Sequence, residues 1–159
     1  MQPHYLIIPL FALATALIGS VFTSGNMSWY RTIRKPEWTP GGQLIGTVWT
    51  VLFTLTAISA ILAWNATTGT AALPIIMAAF VANAALNVLW SFLFFSLHQM
   101  RLAIFECALL GISVLALIIL IWPASVPAAL LLVPYGLWVS FATFLTWSVW
   151  RENRAPRAA

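Results

Sequence analysis

The sequence has very few charged residues. Only 6% of its 159 residues are Asp, Glu, Lys or Arg, whereas about a quarter of a soluble domain is charged. Seven basic and three acidic side chains are too few to cover a water-facing surface, which excludes a soluble globular protein. The hydrophobic content of 62% and the mean hydropathy of +0.97 indicate that lipid is the main solvent.

Cysteine and histidine are also scarce, and this limits the available chemistry. Cys107 is the one cysteine, so the chain forms no internal disulfide, and we expect it to be a small packing residue. The two histidines, His4 and His98, lie near opposite sides of the membrane, so no cluster of metal ligands assembles. No glycine-rich phosphate loop follows a strand. We therefore expect no metal and no required cofactor.

Long apolar runs take up most of the chain. Five of them reach the roughly 20 residues that a helix needs to cross a bilayer, and none alternates as a membrane barrel strand does. The first lacks the basic flank of a signal peptide, so we expect it to be retained. The prediction is an all-α polytopic membrane protein, a single five-helix bundle over residues 1–159. The predicted spans are 5–23, 44–64, 72–97, 102–122 and 126–150.

The basic residues predict the orientation of the bundle. Five spans place the 24–43 connection, the 98–101 turn and the C-terminus on one side of the membrane. Every Lys and Arg falls on that side, which the positive-inside rule makes cytoplasmic, and the N-terminus lies opposite. The pI near 10.0 then reflects topology and not nucleic-acid binding. The basic residues are Arg31, Arg34, Lys35, Arg101, Arg151, Arg154 and Arg157.

Amide and indole side chains inside the spans are candidates for a binding site. Asn83 and Asn87 lie one turn apart on the third span, and Trp90 follows on the same face. Trp138 lies roughly 18 Å into the fifth span, where its N–H needs a partner, and Trp49 lies within the second. The amides either bond to neighbouring helices or line a cavity. The indoles either pack in the core or form the wall of a flat apolar site.

Two further features concern the helix faces. Glu106 is the one carboxylate within a span and follows Arg101 by five residues, so we expect it to snorkel toward the interface rather than carry protons.

Small residues at four-residue spacing let helices approach closely in lipid. Ala78 and Ala82 form such a stripe on the third span, and we predict a homodimer through it.

The connection between the first two spans is the least apolar part of the chain. Residues 29–50 read WYRTIRKPEWTPGGQLIGTVWT, with four charges, two prolines and three tryptophans. This segment resembles the signature of the TspO/MBR family, which reads W-Y, then K-P-x-W-x-P-P, then V-W-T-x-L-Y. The matching residues are Trp29, Tyr30, Lys35, Pro36, Trp38, Pro40, Val48, Trp49 and Thr50.

Two other segments show the same resemblance. The third span contains NVLWSFLFF, which is similar to the family's N-x-x-W-x-P-x-F-F, and the fifth contains VPYGLWVSFATFLTWSVWREN, which is similar to P-Y-x-x-W-x-x-F-A-x-x-L-N-x-x-V-W-R-x-N. The chain departs from the family pattern at Gly41 and Phe92 (proline in the family), Phe53 (tyrosine), Asn83 (often glutamine) and Leu102 (tryptophan in the mammalian protein).

The resemblance implies a five-helix bundle, usually a homodimer, that binds porphyrins such as protoporphyrin IX or haem and, variably, sterols and benzodiazepine-type drugs. It also implies that the 24–43 connection folds over the pocket as a lid. The residues expected to bind ligand are Trp38, Ile45, Trp49, Phe53, Asn83, Asn87, Trp90, Trp138, Phe141, Ala142 and Leu145. Arg31, Arg34 and Lys35 are either topology signals alone or contacts for porphyrin propionates.

A remnant of the family's sterol-recognition pattern, L/V-x-Y-x-K/R, lies near the C-terminus. It consists of Leu145, Trp147 and Arg151, with tryptophan in the tyrosine place. Such patterns are weak even when they are complete. We do not predict tight cholesterol binding from this one.

Three functions are compatible with these features. The first is a membrane receptor or sensor that binds tetrapyrroles, and variably sterols or benzodiazepine-type molecules, and regulates or translocates them. The second is an enzyme that degrades porphyrin in light, with Trp49 and Trp138 as the indoles open to oxidation. The third is a small-molecule transporter, which one intramembrane acid and no intramembrane base support poorly. We expect an integral, multi-pass protein of a bacterial membrane.

Overall fold

The computed structural model describes residues 2–154 and confirms an all-α membrane bundle. Five segments are long and apolar enough to span a bilayer, and over the described residues every regular element is a helix. The elements are α1 His4–Gly25, α2 Met27–Thr32, α3 Gly42–Thr67, α4 Ala72–Ser91 with a π-helical turn at Phe92–Ser96, α5 Met100–Ile121, α6 Val126–Leu130 and α7 Val133–Arg154.

The fifth span differs from the prediction because it is two helices and not one. The short α6 ends at Leu130 and α7 begins at Val133. Pro134 explains the break, since a proline lacks the N–H of a helical residue and its ring clashes with the carbonyl four residues earlier, which here belongs to Leu130. The backbone is bridged by a turn in which the Leu132 N–H donates to the Ala129 carbonyl over 3.1 Å.

The 24–43 connection also differs from a simple loop. Its first part forms α2, and only the part after it lacks helical structure. Pro36 and Pro40 lie in that second part, where they keep the chain from continuing as a helix until α3 starts at Gly42. The segment from residue 24 to residue 41 is called the lid here.

The end of α4 is irregular. The Leu97 N–H donates to the Phe92 carbonyl over 3.0 Å, which is the five-residue spacing of a π-helix. His98 follows with a φ of 55°, a left-handed conformation that non-glycine side chains seldom adopt. Its ring stacks on Trp29 of α2 with centroids 4.0 Å apart. The turn between α4 and α5 is thereby attached to the lid.

The helices differ strongly in how much of each is buried. The core is built mainly by α5, whose Leu110, Val114, Leu117 and Ile121 are almost fully enclosed between α4 and α7. In contrast, His4 and Thr15 are the two buried side chains of α1. Helix α1 therefore forms an outer wall of the bundle, packed against α3 and α4.

Contacts at the two ends of the bundle establish which loops lie together. At one end, Asn153 bonds to the backbone of Arg34, so the end of α7 meets the lid. At the other end, His4 Nε2 lies 2.9 Å from the Asn65 Oδ1, and the Ser59 hydroxyl donates to the Ala128 carbonyl over 2.7 Å. The described basic residues therefore lie at the lid end, as the spans predict; Arg157 lies outside the described residues.

The prediction that Glu106 snorkels toward the interface is wrong. Its side chain is 7% exposed, and both carboxylate oxygens are buried without a hydrogen-bond partner among residues 2–154. Ala103, Cys107 and Leu110 surround it on the same buried face of α5, so the carboxylate points into the bundle and not along it.

Candidate ligand-binding site

A cavity of about 230 Å³ lies inside the bundle. Its walls come from α1, α3 and α4, and Tyr135 of α7 closes the side facing the core. Most of the lining is aliphatic or aromatic, with Leu52, Ala60 and Phe80 among the buried contributors. Apolar walls with a few polar groups are typical of sites for small organic ligands.

Asn83, Asn87 and Tyr135 form a polar patch on one wall of the cavity. The Asn83 amide donates to the Ser113 hydroxyl over 2.8 Å, and the Ser113 hydroxyl donates to the Leu110 carbonyl over 2.7 Å. One turn further, the Asn87 amide donates to the Tyr135 hydroxyl over 3.2 Å. These bonds use the NH₂ groups of the two asparagines, so their side-chain carbonyls keep acceptor capacity.

Trp49 provides a flat wall beside this patch. Its ring meets Tyr135 edge to face, with centroids 6.0 Å apart, and lies against Phe53 at 5.7 Å. All three aromatic residues line the cavity. A planar, largely apolar molecule would find ring faces here, with amide acceptors at one edge.

A model of the TspO/MBR family matches residues 7–151 of the chain. The chain belongs to the TspO/MBR family. Tryptophan-rich protein TspO of Bacillus cereus is 33% identical over 154 residues, which cover 96% of this chain and 99% of that protein. The human translocator protein is 31% identical over 162 residues, covering 99% and 96% of the two chains. Protein CrtK of Rhodobacter capsulatus is 33% identical over 135 residues, covering 85% and 83%.

The indoles and amides that the TspO/MBR signature contributes do not all meet in the cavity. Trp49, Phe53, Asn83 and Asn87 line it together. Trp90 instead stacks on Phe94 with centroids 5.4 Å apart, outside the cavity lining.

Trp138 also lies outside the cavity lining. Its ring packs against Phe141, with centroids 5.3 Å apart. The indole nitrogens of Trp138 and Trp90 are buried, and neither has a hydrogen-bond partner within residues 2–154. The two indoles are therefore packed in the protein and do not face the cavity.

The remaining predicted ligand contacts on the lid and α7 lie toward the lid end. Trp38 is 48% exposed and stacks on Phe144 with centroids 5.5 Å apart, so it covers α7 and not the cavity mouth. Ile45, Phe141, Ala142 and Leu145 are half-buried and are not part of the cavity lining.

The three basic lid residues also lie outside the cavity lining. The Lys35 ammonium donates to the carbonyls of Tyr30 and Ile33 over 2.6 and 2.9 Å and sits 4.6 Å from the centroid of the Tyr30 ring. It therefore braces the turn after α2. Arg31 and Arg34 are exposed. Burial raises the pKa of the Tyr30 hydroxyl above its usual value.

The sterol-motif remnant lies on the outer surface of α7. Trp147 is exposed and stacks on Phe144, and the Arg151 guanidinium lies 5.5 Å from the centroid of the Trp147 ring. Leu145 packs on the far side, against the cluster that contains Val149. The three remnant residues are therefore split between two faces of α7.

Several lining residues were not among the predicted contacts. Tyr135 matches the P-Y of the family pattern but had been treated as a motif residue without a role. Thr15 is a buried polar residue of α1, and Trp64 closes the end of the cavity that is remote from the lid. The polarity of Thr15 amid an apolar run is the one sequence signal for α1, whereas Trp64 lies at a helix end, where tryptophan is common without a ligand.

Proposed function

We propose that this protein is a membrane receptor that binds a tetrapyrrole such as protoporphyrin IX in the cavity between α1, α3 and α4. The observation that supports this most is the meeting of Trp49, Asn87 and Tyr135 in an otherwise apolar cavity. A porphyrin is a flat aromatic disc, and aromatic side chains bind such discs by offset stacking or edge contacts.

The size of the cavity sets a condition on this proposal. Sites for drug-sized ligands measure about 300–1,000 Å³, and a four-ring macrocycle belongs in that range, whereas the cavity measures about 230 Å³. Binding therefore requires a wall to move outward. Helix α1 is the wall with the fewest buried side chains, and its displacement would enlarge the site at the lowest cost.

We infer that the lid end faces the cytoplasm, because the described Lys and Arg side chains lie there. Of these, Arg31 and Arg34 are exposed and lie outside the cavity lining, so they are assigned as topology signals. Lys35 is held by two backbone carbonyls and is assigned a structural role. Labelling of single-cysteine variants in intact cells would test the orientation.

A titration in the dark tests the proposal. Protoporphyrin IX added to the purified protein should quench tryptophan fluorescence with saturation. Asn87→Leu, which removes the amide, and Trp49→Phe, which shortens the flat wall, should each raise the Kd by about tenfold, corresponding to about 1.4 kcal/mol. Trp147→Phe is the matched control, because Trp147 is exposed on the outside of α7. Saturable binding that is equally tight in all four proteins would contradict the proposed site.

Light-dependent porphyrin degradation is a second candidate, favoured by the position of Trp49 in the cavity wall. A porphyrin bound there would have an indole in contact with it, and illumination in the presence of dissolved oxygen would generate an oxidant beside both. Loss of the porphyrin Soret absorbance under light, in wild-type protein and not in the protein kept dark, would support this activity. An unchanged spectrum would argue against it.

We also propose that the protein is a homodimer through α4. Ala78 and Ala82 are both exposed, and they would let two copies of α4 approach closely in lipid. Replacing both by leucine should convert the dimer into a monomer in detergent. Ala14→Leu, a change of equal size at an exposed position of α1, should leave the mass unchanged.

A further inference from the structure

A second void lies directly beside the cavity. It is a groove of about 570 Å³ on the lipid-facing surface between α1 and α4. Four residues line both voids: Phe11, Thr15, Val81 and Ala84. The Thr15 hydroxyl donates to the Phe11 carbonyl over 2.9 Å, so even the polar member of this set presents little unpaired polarity. The groove and the cavity are thus separated by side chains alone.

Two of the side chains between the two voids are exposed. Phe11 and Val81 keep 44% and 53% of their surface accessible, although both also line the cavity. From this boundary the groove runs toward the lid end, where Phe22 and Phe92 meet with ring centroids 5.3 Å apart. The groove therefore lies between the cavity and the outer surface of the bundle.

The end of the cavity toward the lid is closed by aromatic rings. Trp90 stacks on Phe94, Phe94 meets Phe95 at 5.0 Å, and Tyr30 of the lid packs on Phe95 at 5.5 Å. None of these rings is part of the cavity lining. They form a layer between the cavity and the water on that side.

The opposite end is closed as well. The buried ring of His4 stacks on Trp64 with centroids 5.0 Å apart, and His4 is joined to Asn65 by a hydrogen bond. Asn65 in turn donates to the Tyr5 hydroxyl over 3.0 Å. A molecule leaving toward either aqueous side would have to break these contacts, whereas a lateral path displaces mainly the exposed apolar side chains of Phe11 and Val81.

Helix α1 loses few contacts if it moves outward on this side. Pro9 lies inside the helix and removes the hydrogen bond that would join its nitrogen to the Tyr5 carbonyl. At the level of the groove, Thr15 is the one buried side chain of α1. An outward movement of this helix therefore loses little buried surface, and in lipid the exposed surface is solvated by acyl chains.

We propose that flat, largely apolar molecules dissolved in the bilayer enter and leave the cavity laterally, through the groove between α1 and α4. This proposal rests on the proposed function in that it takes the cavity as the binding site. It adds the source of the ligand, which is the membrane and not the cytoplasm, and assigns Phe11 and Val81 as the gate. The lid then has no part in admitting the ligand.

The test uses a bulky side chain in the groove that does not reach the cavity. Ala85 lines the groove and not the cavity, so Ala85→Trp obstructs the path and leaves the cavity lining intact. Because Ala85 lies one turn from Ala82 of the proposed dimer face, the rates are compared with those of the Ala78→Leu/Ala82→Leu variant, which should keep wild-type rates. Stopped-flow mixing of protein-containing vesicles with vesicles preloaded with protoporphyrin IX gives the rates. Association and dissociation should both slow by about tenfold, leaving the Kd unchanged. Ala14→Trp, on the exposed side of α1 outside both voids, is the control and should keep wild-type rates.

A second measurement does not depend on porphyrin binding. In a Cys107→Ser background, Ala57→Cys places a thiol in the cavity wall. A membrane-soluble maleimide should label it, a charged water-soluble thiol reagent should not, and Ala85→Trp should slow the labelling by the membrane-soluble reagent. If Ala85→Trp changes the porphyrin Kd, the labelling rate alone tests the lateral path.

The outcomes separate the two proposals. If the wild-type protein does not bind protoporphyrin IX, the proposed function fails, and the cysteine labelling still decides the path. If porphyrin binds but Ala85→Trp alters neither its rates nor the labelling, the lateral path is wrong. Faster association in Asn153→Ala, which frees the lid, would overturn it in favour of a path beneath the lid.

Discussion

The side-chain amide of Asn153 holds the backbone of Arg34 with two hydrogen bonds, although 119 residues separate them. The Arg34 N–H donates to Asn153 Oδ1 over 3.0 Å, and Asn153 Nδ2 donates to the Arg34 carbonyl over 2.8 Å. The same nitrogen also donates to the Val149 carbonyl over 2.7 Å, which keeps the amide oriented. One side chain at the end of α7 therefore fixes the position of the lid.

Asn153→Ala should loosen the lid without unfolding the bundle. The lost bonds are exposed, so the cost in stability is about 1 kcal/mol. Trypsin should cut faster after Arg31 and Arg34, while the spans stay intact, as followed by mass spectrometry. Asn153→Asp keeps the acceptor for the Arg34 N–H and should give an intermediate rate. Equal cleavage rates in all three proteins would show that the lid is held elsewhere.

Illumination should oxidise Trp49 before Trp138. Trp49 lines the cavity, whereas Trp138 packs on Phe141 outside it. Peptide mapping after light exposure of the protoporphyrin complex should find indole oxidation at Trp49, and Trp49→Phe should suppress porphyrin loss more than Trp138→Phe does. Preferential oxidation of Trp138 would place the ligand nearer α7 and the lid.

Replacing Glu106 with leucine should stabilise the protein. Its buried carboxylate has no hydrogen-bond partner within residues 2–154, and exchanging an uncompensated buried polar group for an apolar one of similar size commonly gains about 1–3 kcal/mol. The midpoint of thermal unfolding in detergent should rise. Glu152→Leu, at an exposed position of α7, is the control and should change little. A strongly destabilised Glu106→Leu variant would reveal a partner for the carboxylate.

Stability should fall in alkaline solution through Tyr30. Burial raises the folded-state pKa of its hydroxyl above the usual 10.0, so above that pH the unfolded chain releases the proton while the folded chain retains it. The folded state then binds more protons, and its stability decreases as pH rises. The stability that the protonated Tyr30 hydroxyl contributes is fully present below pH 10 and is lost as the pH rises above it. Tyr30→Phe should flatten the decline between pH 9 and 11, measured by thermal unfolding.

The spans could be predicted because the length and apolarity of a run decide whether it crosses the bilayer. Pro134 also marks the break between α6 and α7 in the sequence. The burial of Glu106 was not predictable from its distance to the helix end. The distance to the helix end sets how deep a side chain lies in the membrane, whereas the helix face that it occupies decides which groups surround it. Glu106 shares the inner face of α5 with Ala103, Cys107 and Leu110.

The difference between depth in the membrane and helix face also explains which tryptophans belong to the candidate site. Depth in the membrane marks Trp49, Trp90 and Trp138 alike, yet only Trp49 lines the cavity. Trp90 points to the layer of rings beneath the lid, because the π-helical turn after α4 brings Phe94 and Phe95 against it. The role of α1 was largely hidden, since Thr15 is the one sign within its apolar run of which side faces a cavity.

The most direct test of the central claim is to fill the cavity. Ala57 lines it from α3, so Ala57→Phe occupies the space without removing any side chain that would bind ligand. Ala14→Phe adds the same ring on the exposed side of α1. In a dark titration with protoporphyrin IX, Ala57→Phe should weaken binding by more than about tenfold, or about 1.4 kcal/mol, and Ala14→Phe should bind like the wild-type protein. Wild-type affinity in Ala57→Phe would contradict the claim that this cavity is the receptor site.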